Sequence, residues 1–173
     1  MRKLNVAGLA VVALLSVAVA TAGSAQTVVG IGVGGGVAMP MADLGDGYKM
    51  GYTAGAGLFI YPNAGSLGFR ADVGYSSFES EVSSAVKFQP LSLMGNVLYR
   101  LGDGTSSIAP YLVAGGGILS DEESQFAFQG GLGLSIGSGN VRWFVEAKYL
   151  NSSKNGFTTA FVPVIGGFSY RFR

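Results

Sequence analysis

The chain has 173 residues, enough for one domain, and only 12% of them are charged, against about 25% in soluble domains. Its 11 Lys and Arg nearly balance its 10 Asp and Glu, and it has no Cys and no His, which excludes a disulfide framework and any Cys- or His-based metal site. With 49% hydrophobic residues and 29 Gly lacking a strict three-residue period, it is neither a disordered linker nor collagen.

The first element is a leader. Arg2 and Lys3 precede an apolar run from Val6 to Ala20, and Gly23-Ser24-Ala25 places small residues where a signal peptidase reads. The run is short for the ~20 residues of a membrane-crossing helix. Residues 1–25 are therefore expected to be a helical signal peptide cleaved after Ala25, leaving residues 26–173 as the mature domain. Removal of Arg2 and Lys3 brings the net charge from +1 to −1, which offers no basic surface and predicts no nucleic-acid partner.

After Ala25 the chain alternates at period two, the signature of strands. Thr27 to Met39 puts Val29, Ile31, Val33, Val37 and Met39 on one face and Gly30, Gly32, Gly34, Gly36 and Ala38 on the other. Pro40 to Lys49 reads as a loop. The second run sends Tyr52, Ala54, Ala56, Leu58 and Ile60 one way and Gly51, Thr53, Gly55 and Gly57 the other, before the tight turn Pro62 to Ser66. In the third, Leu67, Phe69, Ala71, Val73 and Tyr75 oppose Gly68, Arg70, Asp72 and Gly74, and Ser76 to Ala85 reads as a polar loop.

The fourth run, Val86 to Leu101, shows Leu91, Leu93, Val97 and Tyr99 against Ser92, Asn96 and Arg100, with Met94 and Leu98 breaking the pattern. A turn over Asp103 to Ser107 follows. Ile108 to Leu119 is so uniformly apolar and Gly-rich that its facing stays open. The sixth run sets Phe126, Phe128, Leu132, Leu134 and Ile136 opposite Gln129, Gly131, Gly133 and Ser135. After the hairpin turn Ser138-Gly139-Asn140 comes the clearest stretch, Val141 to Tyr149. Its odd positions are Val, Trp, Val, Ala and Tyr, and its even positions Arg, Phe, Glu and Lys. Asn151 to Thr159 reads as the last loop and Phe161 to Phe172 as the last strand.

Eight runs of about 9 to 13 residues match strands that cross a bilayer at a tilt. Connections after the second, fourth and sixth are about three to six residues, and the others roughly seven to ten. Short turns at one end and longer loops at the other characterise outer-membrane barrels. A soluble barrel would need the reverse facing, and glycine-rich solvent faces would specify strands poorly. The sequence thus predicts an all-β, eight-stranded, antiparallel up-and-down transmembrane β-barrel, with apolar residues toward lipid and small or charged ones toward a filled lumen.

Arg70, Arg100, Arg142, Lys148 and Arg171 then bring positive charge into the lumen, and Asp72 and Glu146 negative charge. Buried charges must be paired or hydrated, which predicts a structural ionic plug linking Arg70, Asp72, Arg142 and Glu146. Phe69, Tyr75, Tyr99, Trp143 and Tyr149 are placed as aromatic girdles near strand ends. On this facing, Ala71→Arg toward lipid should harm stability far more than Gly68→Ser toward the lumen.

Gly167 to Phe172 resembles the terminal strand of bacterial outer-membrane proteins, in which a glycine, an aromatic and a near-final Phe form the signal read by the assembly machinery. Gly167, Tyr170 and Phe172 occupy those positions, with Arg173 following. Gly30 to Pro40 and Pro110 to Gly117 also resemble strands of the small outer-membrane barrel family, the opacity-protein and OmpA/OmpX-like group. That resemblance covers the whole mature chain. It implies a monomer in the outer membrane of a Gram-negative bacterium, with lipid, lipopolysaccharide and the barrel-assembly machinery as partners.

Chemistry is sparse. Gly30 to Gly35 spells the glycine pattern of a dinucleotide site, but no helix follows to hold a pyrophosphate. Outer-membrane proteases, phospholipases and deacylases use a His that this chain lacks, and Asp72 with Glu146 reads as structural pairing beside arginines rather than as a catalytic dyad. No catalytic residue, cofactor or metal is assigned. Acids in the longer loops (Asp43, Asp46, Glu79, Glu81 and Asp121 to Glu123) fit a solvated rim, or less readily divalent-cation bridging to lipopolysaccharide. The leading expectation is a non-enzymatic structural, envelope-integrity or surface-interaction barrel; a narrow pore for small solutes and a surface adhesin are the alternatives.

Overall fold

Period-two alternation builds strands at every predicted run. The computed structural model describes residues 27–83, 85–102, 106–121, 123–154 and 157–172. The predicted leader, Asp103, Glu122 and Arg173 lie outside the described residues. The strands are β1 (Val28–Met41), β2 (Gly51–Tyr61), β3 (Leu67–Glu79), β4 (Lys87–Phe88), β5 (Leu91–Arg100), β6 (Ile108–Ser120), β7 (Ser124–Ile136), β8 (Val141–Lys154) and β9 (Phe157–Phe172). Two single 3-10 turns, Ala42–Leu44 and Pro62–Ala64, complete the elements.

Every ladder is antiparallel. β1 pairs with both β2 and β9, β2 with β3, β3 with β5, and so on through β8 with β9. These ladders close an eight-stranded up-and-down barrel with no free edge. β4 lies outside the circle as a two-residue ladder on the end of β3. Val28 and Phe172 both lie at the end where β2 turns into β3, so the two described termini share the short-turn side. Between β7 and β8 the tight reversal uses Gly137 at φ 123° and Gly139 at φ 81°, which side-chain-bearing residues rarely adopt.

The facing is apolar outside. Val33, Phe69, Val73, Leu132, Val145 and Phe168 are among the large hydrophobics exposed on the wall, and Trp143 keeps 64% of its surface open. So continuous an apolar exterior exceeds what soluble monomers show. With each of the eight barrel strands hydrogen-bonded on both sides, the backbone has no need of water there.

The structure corrects the sequence reading in three places and resolves a fourth that composition left open. Strands overrun the predicted loops at the end opposite the termini. Asn151 to Lys154 and Phe157 to Thr159 continue β8 and β9 as one ladder, and Ser76 to Glu79 belong to β3. Polar side chains do not end a ladder while its backbone partners persist, so the connections at that end are residues 42–50, 80–90, 121–123 and 155–156. The expected contrast in loop length is therefore carried by strand overhang as much as by loops. In β6 the register fixes what composition left open: Ala109, Tyr111, Val113 and Leu119 point inward, while Ile108, Leu112 and Ile118 point outward.

The other two corrections concern the lumen. Met94 and Leu98 do not break the alternation of β5; both are inward and buried. Nor is the interior mainly small and charged. One apolar cluster, including Leu44, Phe78, Met94, Leu150 and Phe161, fills the loop end. A second, of Phe59, Tyr61, Leu98, Tyr111 and Val113, lies toward the termini. Inside the lumen the described ion pairs hold only the middle tier, and much of the remaining width is filled by apolar bulk that needs no partner.

Candidate functional site

The middle tier is a cross-braced ionic network. Arg70 and Asp72 are two residues apart on β3, hence on one face, and the Arg70 Nε lies 2.9 Å from Asp72 Oδ1 and 3.0 Å from Oδ2. Across the lumen on β8, Glu146 accepts from Arg70 Nη1 and Nη2, both at 2.8 Å. Such a two-pronged guanidinium–carboxylate pair is both strong and directional. Lys148 Nζ stands 3.1 Å from Glu146 Oε1 and 3.7 Å from Asp72 Oδ2.

Neutral donors complete the network. Tyr111 on β6 donates its hydroxyl to Glu146 Oε2 at 2.8 Å. Asn96 on β5 donates to Asp72 Oδ2 at 3.0 Å and accepts from Gln129 Nε2 of β7 at 2.6 Å. Five strands are thus tied through side chains. Each carboxylate meets a cation and at least one neutral donor, as buried charge requires.

Of the seven residues assigned to a lumen network, Arg70, Asp72, Glu146 and Lys148 come together. Arg142 does not join them. It sits four residues before Glu146, about 13 Å along the strand, and its guanidinium donates to Ser135 Oγ at 2.8 Å and to the Ser106 carbonyl at 3.0 Å. Arg100 stacks over the Tyr61 ring, 3.4 Å from its centroid. Arg171 lies near the end of β9 with its Nε buried and unpartnered. Those three occupy the mouth beside the termini, separate from the central tier.

Sequence reasoning missed Tyr111 because it lies in the run whose facing was open. Alternation places Asn96 and Gln129 inward but gives them no role; an amide facing two carboxylates and two cations is the available signal.

Outside, all five residues placed as girdles are exposed. They fall in two rings. Phe69, Tyr99 and Trp143 lie toward the termini, Trp143 packing edge-on against Phe168 at 6.1 Å. Tyr75 and Tyr149 lie toward the loops, Tyr75 beside Tyr52 at 6.5 Å. Tyr170 and Phe172, proposed as the assembly signal, point outward and touch edge-on at 5.4 Å, and Gly167 lets β9 approach the Val33 carbonyl of β1. Among the rim acids, Glu79 pairs with Lys87 at 3.1 Å, and Asp43 accepts from the Thr158 amide at 2.7 Å.

Among solved structures, the chain is similar to Neisserial surface protein A, with a TM-score of 0.66 over 86% of this chain and 98% of that one, at 17% identity. The fold is that of the small eight-stranded outer-membrane barrels. The N-terminal β-barrel domain of Pseudomonas aeruginosa OprF is also similar, at TM-score 0.51 and 15% identity over 85% of this chain and 98% of that one. No family model matches the sequence, and no curated protein matches it. On this outer-membrane barrel fold, the tiered lumen is the feature whose chemistry the side chains define.

Proposed function

We propose that the chain is a non-enzymatic integral outer-membrane protein whose barrel is closed by its own side chains and which contributes to envelope integrity or to contacts at the cell surface. The observation that carries this is the span of the Arg70–Glu146 pair from β3 to β8, with the apolar cluster of Leu44, Phe78 and Phe161 closing the loop end beyond it. A paired guanidinium crossing the lumen, with hydrocarbon packed at the loop end beyond it, supports a closed barrel over a conducting one.

The apolar wall and the likeness in fold support the outer membrane as its location, reached by export on the N-terminal leader. Lipid and lipopolysaccharide are its proposed surroundings, the assembly machinery its partner during insertion, and a monomer its working state. Asp72 and Glu146 support no catalytic role here, since both are engaged with Arg70 and neighbouring donors. Short connections at residues 121–123 and 155–156 leave little loop surface for an adhesin.

Single-channel recording in planar bilayers tests the proposal. The expected result is no steady current steps. Ohmic steps at moderate voltage would replace the closed barrel with a narrow pore.

A further inference from the structure

Charge is not balanced evenly along the lumen. In the central tier, Arg70 and Lys148 are matched by Asp72 and Glu146, leaving no carboxylate to spare. At the mouth beside the termini stand three like charges, Arg100 on β5, Arg142 on β8 and Arg171 on β9. Among the described residues, none of the three has an ion pair.

The neutral contacts of Arg100 and Arg171 are incomplete as well. Arg142 is held by Ser135 and by the backbone carbonyls of Ser106 and Ser107. Arg100 lies flat on Tyr61, with its Nη2 buried and lacking a hydrogen-bond acceptor. Arg171 Nε is in the same condition. Arg100 itself is only 6% exposed. Three neighbouring positive charges, two of them with a buried N–H lacking an acceptor, are costly as they stand, whereas an acceptor carrying negative charge would satisfy both deficits at once. Arg100 and Arg171 also line the lumen cavity of about 120 Å³, together with Tyr61 and Ser169.

We infer that this mouth is an oxyanion-binding site, formed by Arg100, Arg142 and Arg171, for a tetrahedral phosphate-type group. Guanidinium forks match phosphate oxygens, and donors arriving from three strands suit a ligand with acceptors in several directions. The phosphate can belong to a free anion on the termini side or to a lipid headgroup of the adjoining leaflet. The inference goes beyond the proposed function: it concerns the mouth alone and holds whether or not the barrel conducts.

The test uses the full mature chain refolded in a phosphorus-free maltoside detergent and titrated calorimetrically with inorganic phosphate, against chloride at matched ionic strength. Saturable phosphate binding is expected, weakened about tenfold or more by Arg142→Gln and by Arg171→Gln. Lys87→Gln, at the exposed rim pair, should leave it unchanged. If a Gln variant fails to refold, as judged by cold-SDS mobility, Arg171→Lys keeps the charge but loses the fork and should still bind more weakly.

Repeating the titration in phosphatidylcholine vesicles distinguishes the sources. Loss of the phosphate signal there assigns the site to lipid headgroups, and an unchanged signal assigns it to the free anion. The inference is overturned if phosphate does nothing that chloride does not, or if binding survives Arg142→Gln and Arg171→Gln intact.

Discussion

Arg70 on β3 and Glu146 on β8 meet across the lumen through two hydrogen bonds of 2.8 Å, the shorter of the two described ion pairs that join these opposite walls, the other being Lys148 with Asp72 at 3.7 Å. Glu146 also holds Lys148 and Tyr111, so it is the node at which three donors converge. Glu146→Gln leaves Arg70 with a single carboxylate, Asp72, and removes the nearer of the two carboxylates facing Lys148. The expected loss is about 3–5 kcal/mol, the usual cost of removing one partner from a buried pair. Urea titration in lipid vesicles measures it, and a cycle with Arg70→Gln should show strong coupling. Additive losses would remove the pair as a stabilising link.

Tyr111→Phe isolates the neutral arm of the same node. Only a hydroxyl that donates at 2.8 Å to Glu146 is lost, and the ring still fills its place beside Leu98 and Val113. A hydrogen bond to a charged acceptor contributes about 1.5–3 kcal/mol, so a loss in that range is expected in the same unfolding assay. In a Glu146→Gln background the change should shrink markedly. An equal loss in both backgrounds would mean that Tyr111 acts by packing rather than through the carboxylate.

The barrel itself was legible from residues that alternate cleanly, such as Trp143 and Val145 against Arg142 and Glu146, because one wall face must be apolar and the backbone must close. What alternation does not carry is depth along the axis. Arg142 and Glu146 read as neighbours in one plug, yet a strand separates them by two inward positions, and Arg142 ends at the mouth. Composition also hid Tyr111 in an apolar run, and it hid the apolar tiers. Met94 and Leu98 looked like errors of facing because an inward hydrophobe was not expected beside ions, whereas a narrow lumen needs bulk wherever charge is absent. Strand ends were illegible for a different reason. The β8–β9 ladder continues through Ser152, Ser153, Thr158 and Thr159 by backbone pairing, which side-chain polarity does not report.

Substitutions on the two faces of the wall test the inside–outside assignment, and the structure changes which lumen glycine is the proper control. Ala71 faces outward between the levels of Phe69 and Tyr75, so Ala71→Arg should cost about 2–4 kcal/mol in lipid. Gly68→Ser is not mild after all. A side chain there would run into the Tyr61 ring and the Ile60 carbonyl, and Tyr61 in turn supports Arg100. Gly32 is the permissive position, since an added Cβ would meet Phe144, the Phe168 carbonyl and Ser169 only at 3.7 Å. Gly32→Ala should therefore change stability by no more than about 1 kcal/mol, with a gain allowed by the stiffer unfolded chain. Vesicle unfolding of the three variants should rank them Gly32→Ala, then the other two well below. Parity of Gly32→Ala with Ala71→Arg would mean that the faces are misassigned.

Phe78→Ala separates stability from closure. Phe78 is wholly buried in the loop-end cluster, edge-on to Phe161 at 5.2 Å and stacked on Phe88 at 6.1 Å. Truncation removes an aromatic from both contacts and leaves a cavity, for which about 3–5 kcal/mol of destabilisation is usual. Yet the central network lies deeper, built from β3, β5, β6, β7 and β8 with no contribution from Phe78. The variant should thus unfold at clearly lower urea while remaining silent in planar bilayers. Current steps from Phe78→Ala alone would show that hydrocarbon at the loop end, rather than the Arg70–Glu146 brace, is what blocks the lumen. Silence in Phe78→Ala followed by steps in Phe78→Ala with Glu146→Gln would place the block at the brace.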